Sequence, residues 1–190
     1  MAVTYDFAGK TAIVTGGSRG IGRAVAAHLA RSGADVWIWD ADPVPADGIR
    51  NQTVDVTKAG DIKAALTEIV AGTGRIDILV NNAGYLGPYH GFETFDPAEW
   101  QRIIGVNLLG TFEVTHQVLP VMRQAGRGRI VNMGSLAGKE GLPNLAAYCG
   151  ERRRHRLHQS AVTRGLRHRY SRQLRCAWSN RHRPYQTPRQ

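Results

Sequence analysis

From Thr11 to about Met133, short apolar runs alternate with longer stretches whose apolar residues recur every three to four positions. That alternation predicts strands separated by amphipathic helices, hence βαβ units and a parallel sheet. Thr11-Ala12-Ile13-Val14 runs into glycines and reads as a buried strand. A helix is expected from about Gly20, with Ile21, Val25, Leu29 and Ala30 on its buried face and a stop at Ser32-Gly33. Val36 to Trp39 predicts a second strand ending at Asp40, and Gln52 to Val56 a third. Lys58 to Ala71 predicts a helix that turns Ile62, Ala65, Leu66, Ile69 and Val70 to the sheet. Ile76 to Val80 is a fourth strand leading into Asn81-Asn82, Pro97 to Leu119 a long helix, and Arg129 to Met133 a fifth strand.

The first chemistry lies at a strand-to-helix junction, Thr15-Gly16-Gly17-Ser18-Arg19-Gly20-Ile21-Gly22. Glycines there let the backbone approach a pyrophosphate, whose charge meets the free N–H groups at the start of the helix. The same residues would also serve a plain tight turn. Asp40 follows Gly22 by 18 residues at the end of the next strand. A carboxylate there accepts hydrogen bonds from an adenosine ribose and repels a 2′-phosphate. Ala41 supplies no cation to offset that repulsion, which favours NAD over NADP. The competing role for Asp40 is a loop cap shared with Asp42.

The spacing Gly-x-x-x-Gly-x-Gly, with Asn81-Asn82-Ala83-Gly84, Asn107, Ser135 and Tyr148, resembles the short-chain dehydrogenase/reductase family from about Asp6 to Gly150. The likeness is greatest to members that act as 3-oxoacyl-carrier-protein reductases or as sugar and secondary-alcohol dehydrogenases. The resemblance implies a Rossmann-type, doubly wound α/β fold that binds NAD and moves a hydride to or from a small carbonyl or alcohol. It places Gly16, Ser18, Arg19, Gly20, Ile21 and Gly22 at the pyrophosphate and Asp40 at the ribose. Asp55 would meet the adenine amino group and the Val56 backbone the ring, while Asn82, Ala83 and Gly84 would lie against the cofactor. Tyr148 would be the acid/base, Ser135 the hydroxyl that orients the substrate oxygen, and Asn107 the residue holding a relay water. Such a tyrosine needs a nearby cation to lower its pKa.

The family pattern Tyr-x-x-x-Lys breaks here, because Tyr148-Cys149-Gly150-Glu151 leads to Arg152. Arginine keeps the charge but has a different reach and cannot relay a proton. Charge changes at the same place. The chain carries 25 Lys+Arg against 15 Asp+Glu, a formal net charge of +10. Residues 1–150 hold 13 basic and 14 acidic side chains, whereas residues 151–190 hold 12 arginines, no lysine and one acid, Glu151. The first segment is read as the NAD-binding domain and the second as a separate, Arg-rich tail.

In the family the tail region should be an apolar helix, a sixth strand and a Pro-Gly turn. Here Leu157, Ala161, Val162, Leu166 and Leu174 are scattered among arginines. Permitted codons for Arg169 to Tyr185, read one base later, yield Gly-Ile-Arg-Val-Asn-Cys-Val-Ala-Pro-Gly-Pro-Ile-Asp-Thr-Asp-Leu, which resembles the missing strand and turn. The second glycine of that reading is forced by the single tryptophan codon at Trp178. A frameshift after Gly150 is therefore expected. With it come a C-terminally incomplete sheet, a poorly packed tail, compromised assembly into the family's homo-oligomer and little turnover.

The remaining function classes are narrower. A basic tail binds polyanions at low salt, so a module contacting nucleic acid or an acidic surface is the alternative to an enzyme. With only Tyr170, Trp178 and Tyr185 as aromatics there, no specific nucleic-acid partner is expected. No His or Cys spacing suggests a metal, and Cys149 and Cys176 make no disulfide framework. No apolar run nears the ~18 residues of a membrane span, and the N-terminus lacks a signal-like apolar stretch, so no membrane partner and a cytoplasmic location are expected. The substrate itself is not legible. The loop Leu136 to Ala147, with Leu142, Pro143 and Leu145, suggests only an apolar lip.

Overall fold

The computed structural model describes residues 5–45 and 47–151 of the 190-residue chain. Its strands are β1 (Thr11–Thr15), β2 (Asp35–Asp40), β3 (Arg50–Thr53), β4 (Ile78–Asn81) and β5 (Arg129–Asn132). All neighbouring pairs are parallel and run in the order β3-β2-β1-β4-β5. The chain therefore winds outward from β1 in both directions, the arrangement of a doubly wound α/β sheet. The expected Rossmann-type architecture is present across the described residues.

Alternation along the strands divides the core into two layers. Ala12, Val14, Val36, Ile38 and Val80 face one side and pack against Ala26 and Leu29 of α1 (Gly20–Arg31). Ile13, Trp37, Trp39 and Leu79 face the other side, where α2 (Ala59–Thr73) contributes Ile62, Leu66 and Ile69. There α4 (Gly110–Gln124) adds Val114, Val118 and Met122. Strands buried on both faces need near-continuous apolar sequence, which is what β1 and β2 carry.

Several boundaries differ from the sequence expectation for physical reasons. The third strand is Arg50–Thr53, not Gln52 to Val56. Val54 and Val56 are buried at 1% and 7% exposure but lie past the strand, so their apolarity records burial under the loop. On α1 the buried residues are Gly22, Ala26 and Leu29, one position round from the expected face, and Ile21 is 65% exposed. Only glycine fits at position 22, because a Cβ there would stand 2.2 Å from the Gly16 carbonyl oxygen. That close approach sets the helix rotation.

The long helix predicted from Pro97 to Leu119 is interrupted and extended. It consists of α3 (Pro97–Ile104), a π-helical turn at Gly105–Leu109, and α4, which continues through Pro120 to Gln124. Met122, 2% exposed, anchors the added turn, so burial outweighs the backbone donor that Pro120 lacks. Beyond β5 come α5 (Ala137–Glu140) and α6, described over Ala146–Glu151. Arg152 and the proposed frame slip lie outside the described residues.

Candidate functional site

All five strands point the same way, so the segments leaving β1, β2, β4 and β5 emerge at one end of the sheet. Ligands of open α/β sheets bind at that end, where the winding direction reverses. Here the reversal falls between β1 and β4, and a cavity of about 410 Å³ opens beside it. Gly16, Arg19 and Gly20 form one wall and Asp40 with Ala41 another. Asp55, Val56, Asn82, Ala83 and Gly84 close the remainder, joined by Trp39, Val54 and Val106. Nine of the twelve residues assigned to a cofactor by resemblance thus share one cavity.

Ser18, Ile21 and Gly22 do not line it. Ser18 is buried and stitches loops together: its N–H donates to Asp40 Oδ2 at 3.0 Å, and its Oγ accepts from the Val44 N–H at 3.1 Å. Gly22 serves the close packing of α1 on the β1 turn.

The glycine-rich turn is braced from β4. Asn82 Nδ2 donates to the Thr15 and Gly16 carbonyls at 3.1 and 2.8 Å. The N–H groups of Asn82 and Ala83 both donate to Thr15 Oγ1 at 3.0 Å. Thr15 and Asn82 therefore fasten the carboxyl ends of two strands together. A Cβ on Gly16, whose φ is +60°, would reach 2.8 Å from the Ala83 Cα.

The cavity has the features an anionic cofactor requires. Arg19, at the N-cap of α1, makes no side-chain cap, and the first turn holds no acid. The leading N–H groups and the positive end of the helix dipole therefore meet no protein carboxylate from that turn. Gly20 has a φ of +55°, and a Cβ there would stand in open space. The turn thus leaves a cradle of bare backbone beside the helix start, which fits a diphosphate.

Two carboxylates flank the cradle. Asp40 also accepts the Asp42 N–H on Oδ1 at 3.1 Å, so it fills the loop-capping role while it lines the cavity. Asp55 accepts the Thr57 N–H and hydroxyl at 2.9 and 2.7 Å. Partial burial pushes the Asp55 carboxyl up, but the two Thr57 bonds and the Lys58 charge outweigh it and hold the group below the usual range.

None of the residues assigned to catalysis lines this cavity. Asn107 sits in the π-helical turn with 0% exposure. Its Oδ1 accepts the Tyr85 N–H at 2.6 Å and its Nδ2 donates to the Tyr85 carbonyl at 2.9 Å. Its carbonyl accepts the Thr111 hydroxyl at 2.8 Å. The side chain is thus a clamp on the segment leaving β4. Tyr85 in turn donates to Glu99 at 2.7 Å, and that bond, with burial behind it, raises the phenol above its ordinary pKa. Arg102 stacks over the Tyr85 ring at 4.2 Å.

Ser135 is half-buried just past β5, and its Oγ accepts the Ala137 N–H at 3.2 Å. Tyr148 is half-buried on α6, which packs on α5 and α3. The segment between them is pinned by Leu145, 1% exposed, and by the His90 N–H donating to the Asn144 carbonyl at 3.3 Å. Neither Ser135 nor Tyr148 lines the cavity. The expected partner of Tyr148, at position 152, lies outside the described residues.

Sequence reasoning missed Thr15, Tyr85, Trp39 and the pairing of Arg19 with Asp42. Only Thr15 had a readable signal, a hydroxyl at the strand end facing an Asn-Asn pair. No group of three or more His, Cys, Asp or Glu side chains positioned for a metal occurs among the described residues, and none of their helices is long and apolar enough to cross a membrane.

Comparison with known proteins bears on the same segment. The sequence profile described as short chain dehydrogenase matches residues 10–151. The chain is 39% identical over 149 residues to a 2-dehydro-3-deoxy-L-rhamnonate dehydrogenase (NAD(+)) of Sphingomonas sp. (strain SKA58), covering 75% of this chain and 60% of the relative. It is 40% identical over 147 residues to 2-(S)-hydroxypropyl-CoM dehydrogenase 3 of Xanthobacter autotrophicus (strain ATCC BAA-1158 / Py2), covering 72% and 57%. A solved 3-ketoacyl-(acyl-carrier-protein) reductase from Brucella melitensis, complexed with NADH, superposes with a TM-score of 0.73 at 32% identity, covering 76% of this chain and 65% of that one. The chain thus spans about three fifths of the length of these curated relatives.

Proposed function

The chain belongs to the short-chain dehydrogenase family, and we propose that it binds NAD and transfers a hydride between the nicotinamide and a small ketone or secondary alcohol. One observation carries the reading: the cavity joins an uncapped helix start to a strand-end carboxylate, Asp40. A diphosphate on the Gly20 side leaves the adenosine ribose facing Asp40, where hydroxyls donate and a 2′-phosphate is repelled. Ionised Asp55 offers an acceptor to the adenine amino group beside the Val56 backbone. The Asn82-Ala83-Gly84 turn, fastened to Thr15, forms the floor. Relatives named for NAD or solved with NADH support this choice of cofactor.

When bound, the nicotinamide accepts or delivers the hydride. This chain's own groups do the rest. Tyr148 gives or takes the proton at the substrate oxygen, and Ser135 donates a hydrogen bond that orients that oxygen. Asn107 positions the Tyr85 segment and, through the turn it occupies, the relay water. Arg152 in place of lysine slows turnover, because a guanidinium holds charge but does not pass a proton. Its presence, and the Arg-rich sequence after it, follow from a frameshift after Gly150, which sequencing the gene around that codon tests.

The reading is tested by titrating the full chain with NADH and following tryptophan fluorescence, to which Trp39, fully buried and lining the cavity, contributes beside Trp37, Trp100 and Trp178. Saturable quenching with energy transfer to the dihydronicotinamide is expected, together with weak turnover of secondary alcohols. Absence of any saturable change would overturn it.

A further inference from the structure

Arg19 is the one basic side chain lining the cavity among the described residues. It lies in the glycine-rich turn within electrostatic reach of Asp40, the carboxylate assigned to the ribose, and could in principle attract a 2′-phosphate. Its guanidinium is committed elsewhere: Nη2 meets Asp42 Oδ2 at 2.6 Å. Asp42 is aimed by its own backbone, because its N–H donates to Asp40 Oδ1. The loop is fixed further by Ser18 Oγ, which holds the Val44 N–H, and by Arg23, which donates to the Val44 and Pro45 carbonyls at 3.1 and 3.2 Å. A short loop is thereby pinned to the first turn of α1 with two carboxylates facing one guanidinium.

We propose that Asp42 is a specificity-determining residue, a positioning group that occupies Arg19 and keeps the ribose end of the site net negative. The inference rests on the NAD reading above and extends it. Asp40 alone disfavours a 2′-phosphate, but a free neighbouring arginine would offset it with a bidentate contact. With Asp42 present the three side chains sum to one negative charge. Without it they sum to zero and the guanidinium is released. Both partners are largely exposed, 66% and 76%, so the pair adds little to stability, and its consequence falls on the ligand.

The test compares NADH and NADPH binding to the full chain by tryptophan quenching, in wild type, Asp42→Asn and Arg19→Ala/Asp42→Asn. Wild type is expected to bind NADH in preference to NADPH. Asp42→Asn should tighten NADPH by about tenfold, change NADH less than about threefold, and lose its gain as salt rises. The double variant should lose the gain at every salt concentration. If wild type binds NADH while Asp42→Asn leaves NADPH unchanged, or the double variant keeps the gain, the role of Asp42 is overturned and the NAD reading stands. If wild type binds neither nucleotide, both fall together.

Discussion

Around Gly16 the backbone is held by neighbours on every side, whereas among the described residues the strip that carries Ser135 and Tyr148 packs mainly on α3 and β4. β1 has all five residues buried and strands on both flanks. Its exit turn is bonded to Asn82 and packed against Ala83. β5 shows a mixed exposed and half-buried pattern and pairs only with β4 among the described residues. Past it, α5 has four residues, too short to persist without tertiary support, and α6 is described as far as Glu151. On the function proposed above, cofactor recognition would rest on backbone at the centre of the sheet and proton chemistry on side chains at the margin of its described part. The proposed break after Gly150 therefore spares the first and strikes the second.

The largest effect is expected where the centre is tightest. Gly22→Val places a Cβ within 2.4 Å of Asn82 Nδ2 and closer still to the Gly16 carbonyl, neither of which can move without dislodging the turn. A loss of about 3 kcal/mol or more in urea unfolding is expected, with NADH quenching abolished. Wild-type stability in that variant would break the comparison at once.

A smaller loss is expected at Asp77, which ties the opposite end of the sheet. Its carboxylate accepts the buried Thr11 N–H at 3.0 Å and two bonds from Arg75 at 2.7 and 2.6 Å, with Arg127 at 3.3 Å. Burial pushes this carboxyl up, but the Arg75 bond, the Thr11 N–H and nearby cations together hold it below the ordinary value. Asp77→Ala strands the Thr11 donor and should cost about 2 kcal/mol at neutral pH. A lowered folded-state pKa means the stabilisation is complete above the unfolded value near ~3.9 and is lost as pH falls through the folded one. The gap between wild type and Asp77→Ala, measured by urea midpoints, should therefore be constant from about pH 5 upward and close below about pH 4. A gap that persists at low pH would contradict the ion pairing.

The same contrast explains what the sequence disclosed. Central strands with two buried faces write themselves as apolar runs, so β1, β2 and the glycine turn after β1 were legible, and Asp40 with them. The third strand was misplaced because Arg50-Asn51-Gln52-Thr53 is polar while Val54 and Val56 are buried without being strand. The π-helical turn left no periodic trace, since Asn107 is fixed by Tyr85, a partner 22 residues away. Asp77 looked like part of an apolar strand with one blemish, and its partners become neighbours only in the folded sheet. Pairings of exposed residues, such as Arg19 with Asp42, have no sequence period at all.

One row of the sheet isolates the comparison from differences in residue type. Val14, Val80 and Val131 stand side by side on β1, β4 and β5, paired Val14↔Val80 and Val80↔Val131. Their exposures are 0%, 4% and 39%. Valine to threonine keeps the shape and β preference and adds only a hydroxyl, so its cost reports burial of a polar group. Val14→Thr and Val80→Thr face the apolar layer under α1 and should each cost about 1–3 kcal/mol. Val131→Thr should stay within about 0.5 kcal/mol, because water already reaches the site. Equal costs at Val14 and Val131 in the full chain would mean that β5 is covered, and the contrast between centre and margin would then fail at the strand that leads to Ser135.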